Sequence, residues 1–156
     1  MKLRLLTVSN KQPGWIVDGA EEYARRLPRE WGFQIVEVKP EARTSGAATA
    51  KIQAAEAERL RAKAGKGARI VALDERGERW STRDLADWLS RWQQAGHDVA
   101  FVIGGADGLD AEFLATAPQR VSLSAMTLPH GLVRILVVEQ LYRAQALLKG
   151  HPYHRA

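Results

Sequence analysis

The sequence predicts an α/β protein with a mostly parallel central sheet flanked by helices. Predicted strands and helices alternate along the chain, which is typical of parallel strands that are joined through helices. The segment 98–105 (DVAFVIGG) is hydrophobic without alternation, as expected of a strand covered on both faces. The chain has 156 residues, which fits a single domain over residues 1–156.

Two strands and two helices are predicted in the first part of the chain. Residues 2–8 (KLRLLTV) and 31–38 (WGFQIVEV) are rich in strand-forming residues, and Pro40 ends the second run. Residues 47–64 combine alanine and charged helix formers with few large apolar side chains, which predicts a surface helix. Another helix is predicted after Gly14. One face of it collects Trp15, Ile16, Gly19, Ala20, Tyr23 and Leu27.

An amphipathic helix is predicted between Ser81 and Gly96. Ser81 stands three residues before Asp84, an arrangement related to the capping box that begins many helices. Apolar residues then follow at the i, i+3, i+4, i+7 spacing of one helical face. They are Leu85, Trp88, Leu89 and Trp92. Gly96 is the expected stop signal.

The remaining predicted elements are short, apart from the last helix. Residues 68–74 and 121–123 predict strands, and residues 112–117 predict a short helix. Residues 130–149 predict a long helix that ends before Gly150. Because apolar residues surround most of this helix, we expect it to be buried on more than one side. One face would pack on the sheet and another on a second copy of the chain, unless the helix lies centrally within one monomer.

Composition excludes several classes of function. The chain has no cysteine, which excludes disulfide scaffolds, cysteine-ligated zinc sites and thiol nucleophiles, and which fits a reducing cytoplasm. The N-terminal stretch turns polar by Ser9, and no window approaches about 18 apolar residues, so we expect a soluble, unexported protein. The net charge is +5, and residues 111–156 carry five basic but only two acidic side chains. This balance favours a polyanionic partner without proving one.

A glycine pair follows the most hydrophobic predicted strand, in FVIGGADGL at residues 101–109. Ligands of open α/β sheets bind at the carboxyl ends of strands, and Gly104 and Gly105 would let the backbone approach a ligand closely. A tight turn that needs glycine is an equally good explanation. The segment is neither a dinucleotide fingerprint nor a phosphate loop, and Asp107 with Asp110 argues against a phosphate ligand.

Two further segments, residues 123–134 and 149–156, contain candidate functional residues. In LSAMTLPHGLVR at residues 123–134, Thr127 is a candidate cap for the last helix, although the segment also reads as an ordinary connection. His130 has no partner at a metal-ligand spacing, so no metal site is expected. The tail KGHPYHRA at residues 149–156 places Tyr153 among basic residues, a combination that can hold phosphates and stack on an unpaired base. A frayed terminus is the alternative.

Taken together, these motifs closely resemble the ribosomal RNA large subunit methyltransferase H family. The resemblance spans essentially the whole chain. It rests on VALDERG at 71–77, FVIGGADGL at 101–109, SLSAMTLPHGLVR at 122–134, VEQLYRA at 138–144 and GHPYHR at 150–155. One departure is Gly131, where relatives carry Pro or Gln.

The resemblance implies a fold, a reaction and a cofactor pocket. The family belongs to the SPOUT methyltransferases, which are homodimers with a C-terminal trefoil knot. Its members transfer the methyl group of S-adenosylmethionine to ring nitrogen N3 of a pseudouridine in large-subunit (23S) ribosomal RNA. The matching positions imply a cofactor pocket formed by Leu73, Gly104, Leu123, Ser124, Ala125, Met126, Thr127 and Leu128.

The resemblance also implies roles for individual side chains. Because nitrogen N3 must lose a proton, His130 is a candidate for handling it. Tyr153, His154 and Arg155 would hold the RNA, with the tail of the partner subunit as a possible source. Three alternatives stay open: a knotted methyltransferase acting on another RNA such as transfer RNA, a non-catalytic RNA-binding or ribosome-assembly factor, and a nucleotide-binding α/β protein. The missing phosphate loop and Asp107 disfavour the last of these.

Overall fold

A parallel sheet forms the centre of the molecule in a computed structural model, which describes residues 1–44 and 46–155. Within those residues, five strands lie in the order β2-β1-β4-β3-β5, and every strand pair is parallel. The strands are β1 (Leu3–Val8), β2 (Gln34–Val38), β3 (Arg69–Arg79), β4 (Val99–Ile103) and β5 (Gln119–Ser122). The helices are α1 (Gly14–Ala24), α2 (Thr49–Ala64), α3 (Thr82–Ala95), α4 (Ala111–Thr116) and α5 (His130–Leu148). The predicted α/β fold is confirmed.

Helices cover both faces of the sheet, which explains why β4 is buried along its whole length. Successive strand side chains point to opposite faces, so Leu3 and Leu5 pack in the core under α1, α3 and α5. Leu6 and Val8 of the same strand pack in the second core, under α2 and α4. None of the helices in the described residues is long and apolar enough to cross a membrane.

Two expectations from the first part of the sequence need correction. The run 31–38 is a strand only from Gln34, because Trp31 belongs to a 3₁₀ turn and Gly32 adopts a left-handed conformation at φ 51°. Trp31 is nevertheless buried in the first core. Trp15 was expected on the buried face of α1 but is 61% exposed, whereas Ile16 of the same helix is buried. Trp15 therefore does not belong to the face of α1 that packs against the core, whereas Ile16 does.

Strand β3 is longer than predicted and is interrupted by a bulge. Its pairing with β5 jumps from Leu73 to Glu78, so the intervening residues leave the regular ladder. Gly77, the last residue before the pairing resumes at Glu78, lies so close to β5 that a Cβ atom there would be 2.6 Å from the carbonyl carbon of Arg120. Only glycine allows so close an approach of the two backbones. The predicted strand 121–123 is likewise shifted to the bounds of β5.

Helices α3 and α5 begin differently. Helix α3 has the predicted capping box, in which the Ser81 hydroxyl accepts from the Asp84 N–H and the Asp84 carboxylate accepts from the Ser81 N–H. Helix α5 begins after Pro129, and no side chain caps it, so the proposed role of Thr127 as a cap is wrong. Leu132 and Leu136 of α5 remain exposed in the single chain, and the expected contact of this helix with a second copy stays a prediction.

Candidate functional site

A cleft of about 1060 Å³ opens at the carboxyl ends of β1, β4 and β5 and at the bulge of β3. This is the edge of a parallel sheet at which ligands generally bind. Most of the residues that the family resemblance assigned to a cofactor pocket or to proton transfer line this cleft. Those lining it are Leu73, Gly104, Leu123, Ser124, Met126, Thr127, Leu128 and His130. Ala125 lies outside the lining.

The glycine segment after β4 is both a tight turn and a wall of the cleft. The N–H of Gly108 donates to the carbonyl of Gly105 at 3.0 Å, and Gly108 has a positive φ of 79°. A Cβ atom on Gly104 would lie 2.9 Å from the carbonyl carbon of Gly108 and 2.9 Å from the amide nitrogen of Leu109. The two explanations offered by the sequence are therefore compatible, since the turn that requires glycine also faces the ligand space.

The segment between β5 and α5 forms the opposite wall. Ser124 organises it, because its hydroxyl accepts from the Met126 N–H at 2.9 Å while its carbonyl accepts from the Ser122 hydroxyl at 2.9 Å. Met126 is 76% exposed, and Leu123 is exposed beside it. Apolar side chains are thus held at the mouth of the cleft, where a flat ring of a ligand could pack against them.

His130, at the start of α5, lines the cleft and contacts the ends of β1 and β4. Its Nε2 lies 2.7 Å from the Gly104 carbonyl and 3.3 Å from the Thr7 hydroxyl. Because a carbonyl only accepts, Nε2 carries a hydrogen and Nδ1 is the basic nitrogen of the neutral ring. Burial lowers the pKa of His130, the Gly104 hydrogen bond opposes that shift, and the positive charge of Arg134 lowers the pKa further. The ring is therefore neutral at physiological pH.

Residues of β1 and α2 belong to the site although sequence reasoning missed them. Thr7 is fully buried at the end of β1, where it faces His130. Glu56 lines the cleft and is buried in α2. A signal for Glu56 existed, since it stands four residues from both Ile52 and Leu60, the large apolar residues of that helix. Glu56 therefore shares their inward face.

Residues 39–44 border the cleft and are tied to it by polar contacts. The Glu41 N–H donates to Oε2 of Glu56 at 3.1 Å, and Arg43 pairs with the carboxylate of Asp107 at 2.7 Å. The pKa of Glu41 is lowered, first by the Ala42 N–H and then by Arg59. Within the part of the chain that the structure describes, no three potential metal-ligating side chains cluster together.

The C-terminal tail is docked on α5 and lies apart from the cleft of its own chain. The Tyr153 hydroxyl donates to Oε1 of Glu139 at 3.2 Å, and its ring lies 4.6 Å from that of Tyr142. Arg143 donates to the carbonyls of Tyr153 at 3.3 Å and Arg155 at 3.2 Å. Residues 149–155 are thus docked on the fold rather than frayed.

Distance along α5 separates the tail from the cleft. Tyr142 comes twelve positions after His130, which corresponds to about 18 Å along a helix. Tyr153, His154 and Arg155 are not among the lining residues of the cleft. Within one chain, the structure therefore does not bring the suggested RNA-binding residues together with the suggested cofactor pocket.

Comparison with known proteins gives a consistent result. Residues 1–154 match a family model described as a predicted SPOUT methyltransferase. The chain is 55% identical to a protein of Burkholderia multivorans named ribosomal RNA large subunit methyltransferase H, and the match covers all of both chains. It is 54% identical, again over both full lengths, to a protein of the same name from Burkholderia vietnamiensis.

Solved structures share the fold at much lower sequence identity. A probable methylase family protein from Haemophilus influenzae superposes with a TM-score of 0.60 at 12% identity, covering 95% of this chain and 68% of that one. A probable methyltransferase from Bordetella pertussis gives a TM-score of 0.59 at 17% identity, covering 92% and 95%. These likenesses concern the arrangement of the strands and helices.

Proposed function

The chain belongs to the SPOUT methyltransferase family, and we propose that it methylates large-subunit ribosomal RNA at ring nitrogen N3 of a pseudouridine. The observation that carries this proposal is the full-length 55% identity to a ribosomal RNA large subunit methyltransferase H. The assembled cleft supports it, because the matching residues of three separate segments meet at one edge of the sheet. A cytoplasmic location follows from the proposed substrate, and a trefoil knot is expected from the family.

S-adenosylmethionine is the methyl donor of this reaction, and its sulfonium makes the methyl carbon an electrophile. The cleft fits such a molecule in size, since small-molecule sites typically span about 300–1,000 Å³ and this one measures about 1060 Å³. It also fits in chemistry, because apolar Leu73 and Met126 suit an adenine ring while acidic Glu56 suits a cationic group. We assign the donor to this cleft.

The chain's own task is to position the base and to remove its N3 proton. Holding the two reactants in line supplies much of the rate enhancement in a direct transfer of this kind. His130 is the proposed proton acceptor, because its ring is neutral and its Nδ1 has no hydrogen-bond partner among the described residues. The Nε2 bond to the Gly104 carbonyl fixes the ring orientation.

A homodimer would bring the tail to the cleft. Since the tail is docked about 18 Å along α5 from the cleft of its own chain, we propose that Tyr153, His154 and Arg155 of one subunit serve the cleft of the other. Exposed apolar side chains on α1 and α5 support a contact between subunits there. They are Trp15, Val17, Leu132 and Leu136. Sedimentation should give a dimer for the wild type, and Leu136→Glu should shift it to monomer without unfolding it.

The decisive experiment is methyl transfer from radiolabelled S-adenosylmethionine to separately purified substrates. Free 23S RNA, large subunits and whole ribosomes are tested in parallel with transfer RNA, and primer extension maps the labelled nucleotide. We expect label at a pseudouridine of large-subunit RNA in at least one of the first three. Label in transfer RNA alone would favour another knotted methyltransferase. Donor binding without transfer to any of them, or no binding at all, would contradict the proposal.

A further inference from the structure

Glu56 is a charged residue in the interior of the protein. It lies in the middle of α2, its exposed fraction is 6%, and it lines the cleft. Glutamate is almost never buried to this degree unless its charge is paired. A positively charged partner is therefore expected for Glu56.

The described residues give Glu56 one hydrogen bond but no ion pair. Oε2 of Glu56 accepts the Glu41 N–H at 3.1 Å. Within residues 1–44 and 46–155, no basic side chain lies within ion-pair distance of Glu56. Glu41 pairs with Arg59 at 3.2 Å and Asp107 pairs with Arg43 at 2.7 Å. Glu75 also lines the cleft without an ion pair, but it is exposed. Glu56 is thus the buried carboxylate of the cleft, and it lacks a cation.

The free oxygen of Glu56 borders the glycine turn. Oε1 lies 3.0 Å from the position that a Cβ atom on Gly105 would occupy. Gly105 is itself a lining residue and follows β4 directly after Gly104. The carboxylate therefore stands against the glycine turn that lines the cleft.

We propose that Glu56 binds the α-ammonium group in the methionine part of S-adenosylmethionine. The inference rests on the proposed function, because it assumes that this donor occupies the cleft. An ammonium group offers three N–H donors and a positive charge, which is what a buried carboxylate with a free oxygen lacks. Buried charges are stable in proteins when such a partner is present. Glu56 is thus a specificity residue for the amino-acid end of the donor.

Calorimetric titration with three ligands tests this assignment. S-adenosylmethionine and S-adenosylhomocysteine both carry the ammonium group, whereas 5′-methylthioadenosine lacks the whole amino-acid part. Glu56→Gln removes the charge and retains an oxygen that can accept the Glu41 N–H. We expect the variant to lose about 10- to 100-fold in affinity for the first two ligands and to bind 5′-methylthioadenosine like the wild type.

The matched control is Glu58→Gln, the same change at an exposed position of α2, which should leave all three affinities unchanged. Equal losses for all three ligands in Glu56→Gln would reveal a merely structural role and overturn the proposal. So would unchanged affinity for S-adenosylhomocysteine, since the carboxylate would then act on the sulfonium or on nothing. If wild-type protein binds none of the ligands, the proposed function itself fails.

A second variant covers the case in which Glu56→Gln does not fold. Glu56→Asp keeps the charge but withdraws it by one methylene group. We expect a smaller loss of affinity for the two ammonium-bearing ligands than for Glu56→Ala, with 5′-methylthioadenosine unaffected in both. Equal behaviour of the Asp and Ala variants toward all three ligands would show that charge at this position is irrelevant.

Discussion

The two ends of α5 differ in the groups that surround them. At the N-terminal end, glycines and backbone carbonyls shape the cleft, and the neutral ring of His130 is held by the Gly104 carbonyl. At the C-terminal end, a network of polar side chains, Glu139, Arg143 and Tyr153, holds the tail. Loss of the basic ring nitrogen or an added atom at the glycine turn should therefore do most harm, and both lie at the first end. Loss of one side-chain group should do less harm at the second end, where solvent weakens each single contact.

The largest effect is expected when the basic nitrogen at the N-terminal end is removed. His130→Gln retains an N–H for the Gly104 carbonyl but has no basic nitrogen. We expect methyl transfer to slow by about 10²- to 10⁴-fold, while the affinity for S-adenosylmethionine changes little. Single-turnover kinetics with saturating donor measures the rate, and calorimetry measures the affinity.

The pH profile provides the control for that variant. A base must be neutral to accept a proton, so acid inactivates the wild type only as pH falls through the pKa of His130. Because burial lowers that pKa, the acid limb should lie below pH 6.5, the ordinary value for histidine. His130→Gln should lack this limb. A limb at or above pH 6.5, or one that survives in the variant, would assign proton removal to another group.

The next largest effect is expected from a single added methyl group at the glycine turn. Gly104→Ala would force a Cβ atom to within 2.9 Å of the Gly108 and Leu109 backbone, at a cost of about 1–3 kcal/mol in unfolding free energy. Since the turn also forms the cleft wall, we expect donor affinity to fall at least about tenfold. Denaturant unfolding and calorimetry measure the two effects.

Gly14→Ala is the matched control for the glycine turn, because nothing lies within 4 Å of a Cβ atom there. It should leave donor affinity and unfolding free energy nearly unchanged. Normal donor binding in a folded Gly104→Ala protein would place the cofactor elsewhere.

The sequence could predict the strands and helices of the fold, but not the contacts between segments that are far apart in the chain. Hydrophobic runs and the Ser81 capping box located the elements, because burial and local hydrogen bonds leave periodic signatures. The bulge after Leu73 and the pairing of Thr7 with His130 left no such signature, since both depend on contacts between segments far apart in the chain. The same is true of Trp15, whose exposure depends on how α1 packs against α5.

At the C-terminal end, loss of a basic side chain should affect RNA and leave the donor alone. Arg155 is exposed, and its backbone is held on both sides, since its carbonyl accepts from Arg143 and its N–H donates to the Pro152 carbonyl at 3.3 Å. Arg155→Ala should weaken RNA binding about tenfold and reduce the salt dependence of binding by about one counterion. Filter binding over a salt series measures both quantities. An equal loss of affinity for S-adenosylmethionine would contradict the proposed role.

The smallest effect is expected from the hydroxyl that anchors the tail. Tyr153→Phe removes the hydrogen bond to Glu139, which should cost about 0.5–1.5 kcal/mol of unfolding free energy near pH 7. Burial, together with the negative charge of Glu139, raises the pKa of Tyr153 to about 12 from the model-peptide value of 10.0. The folded protein therefore holds this proton more tightly than the unfolded chain does, so the stabilisation is complete below pH 10 and is lost as pH rises toward 12. Unfolding curves of wild type and variant should converge over that interval, and a constant difference would mean that the hydroxyl does not sense Glu139.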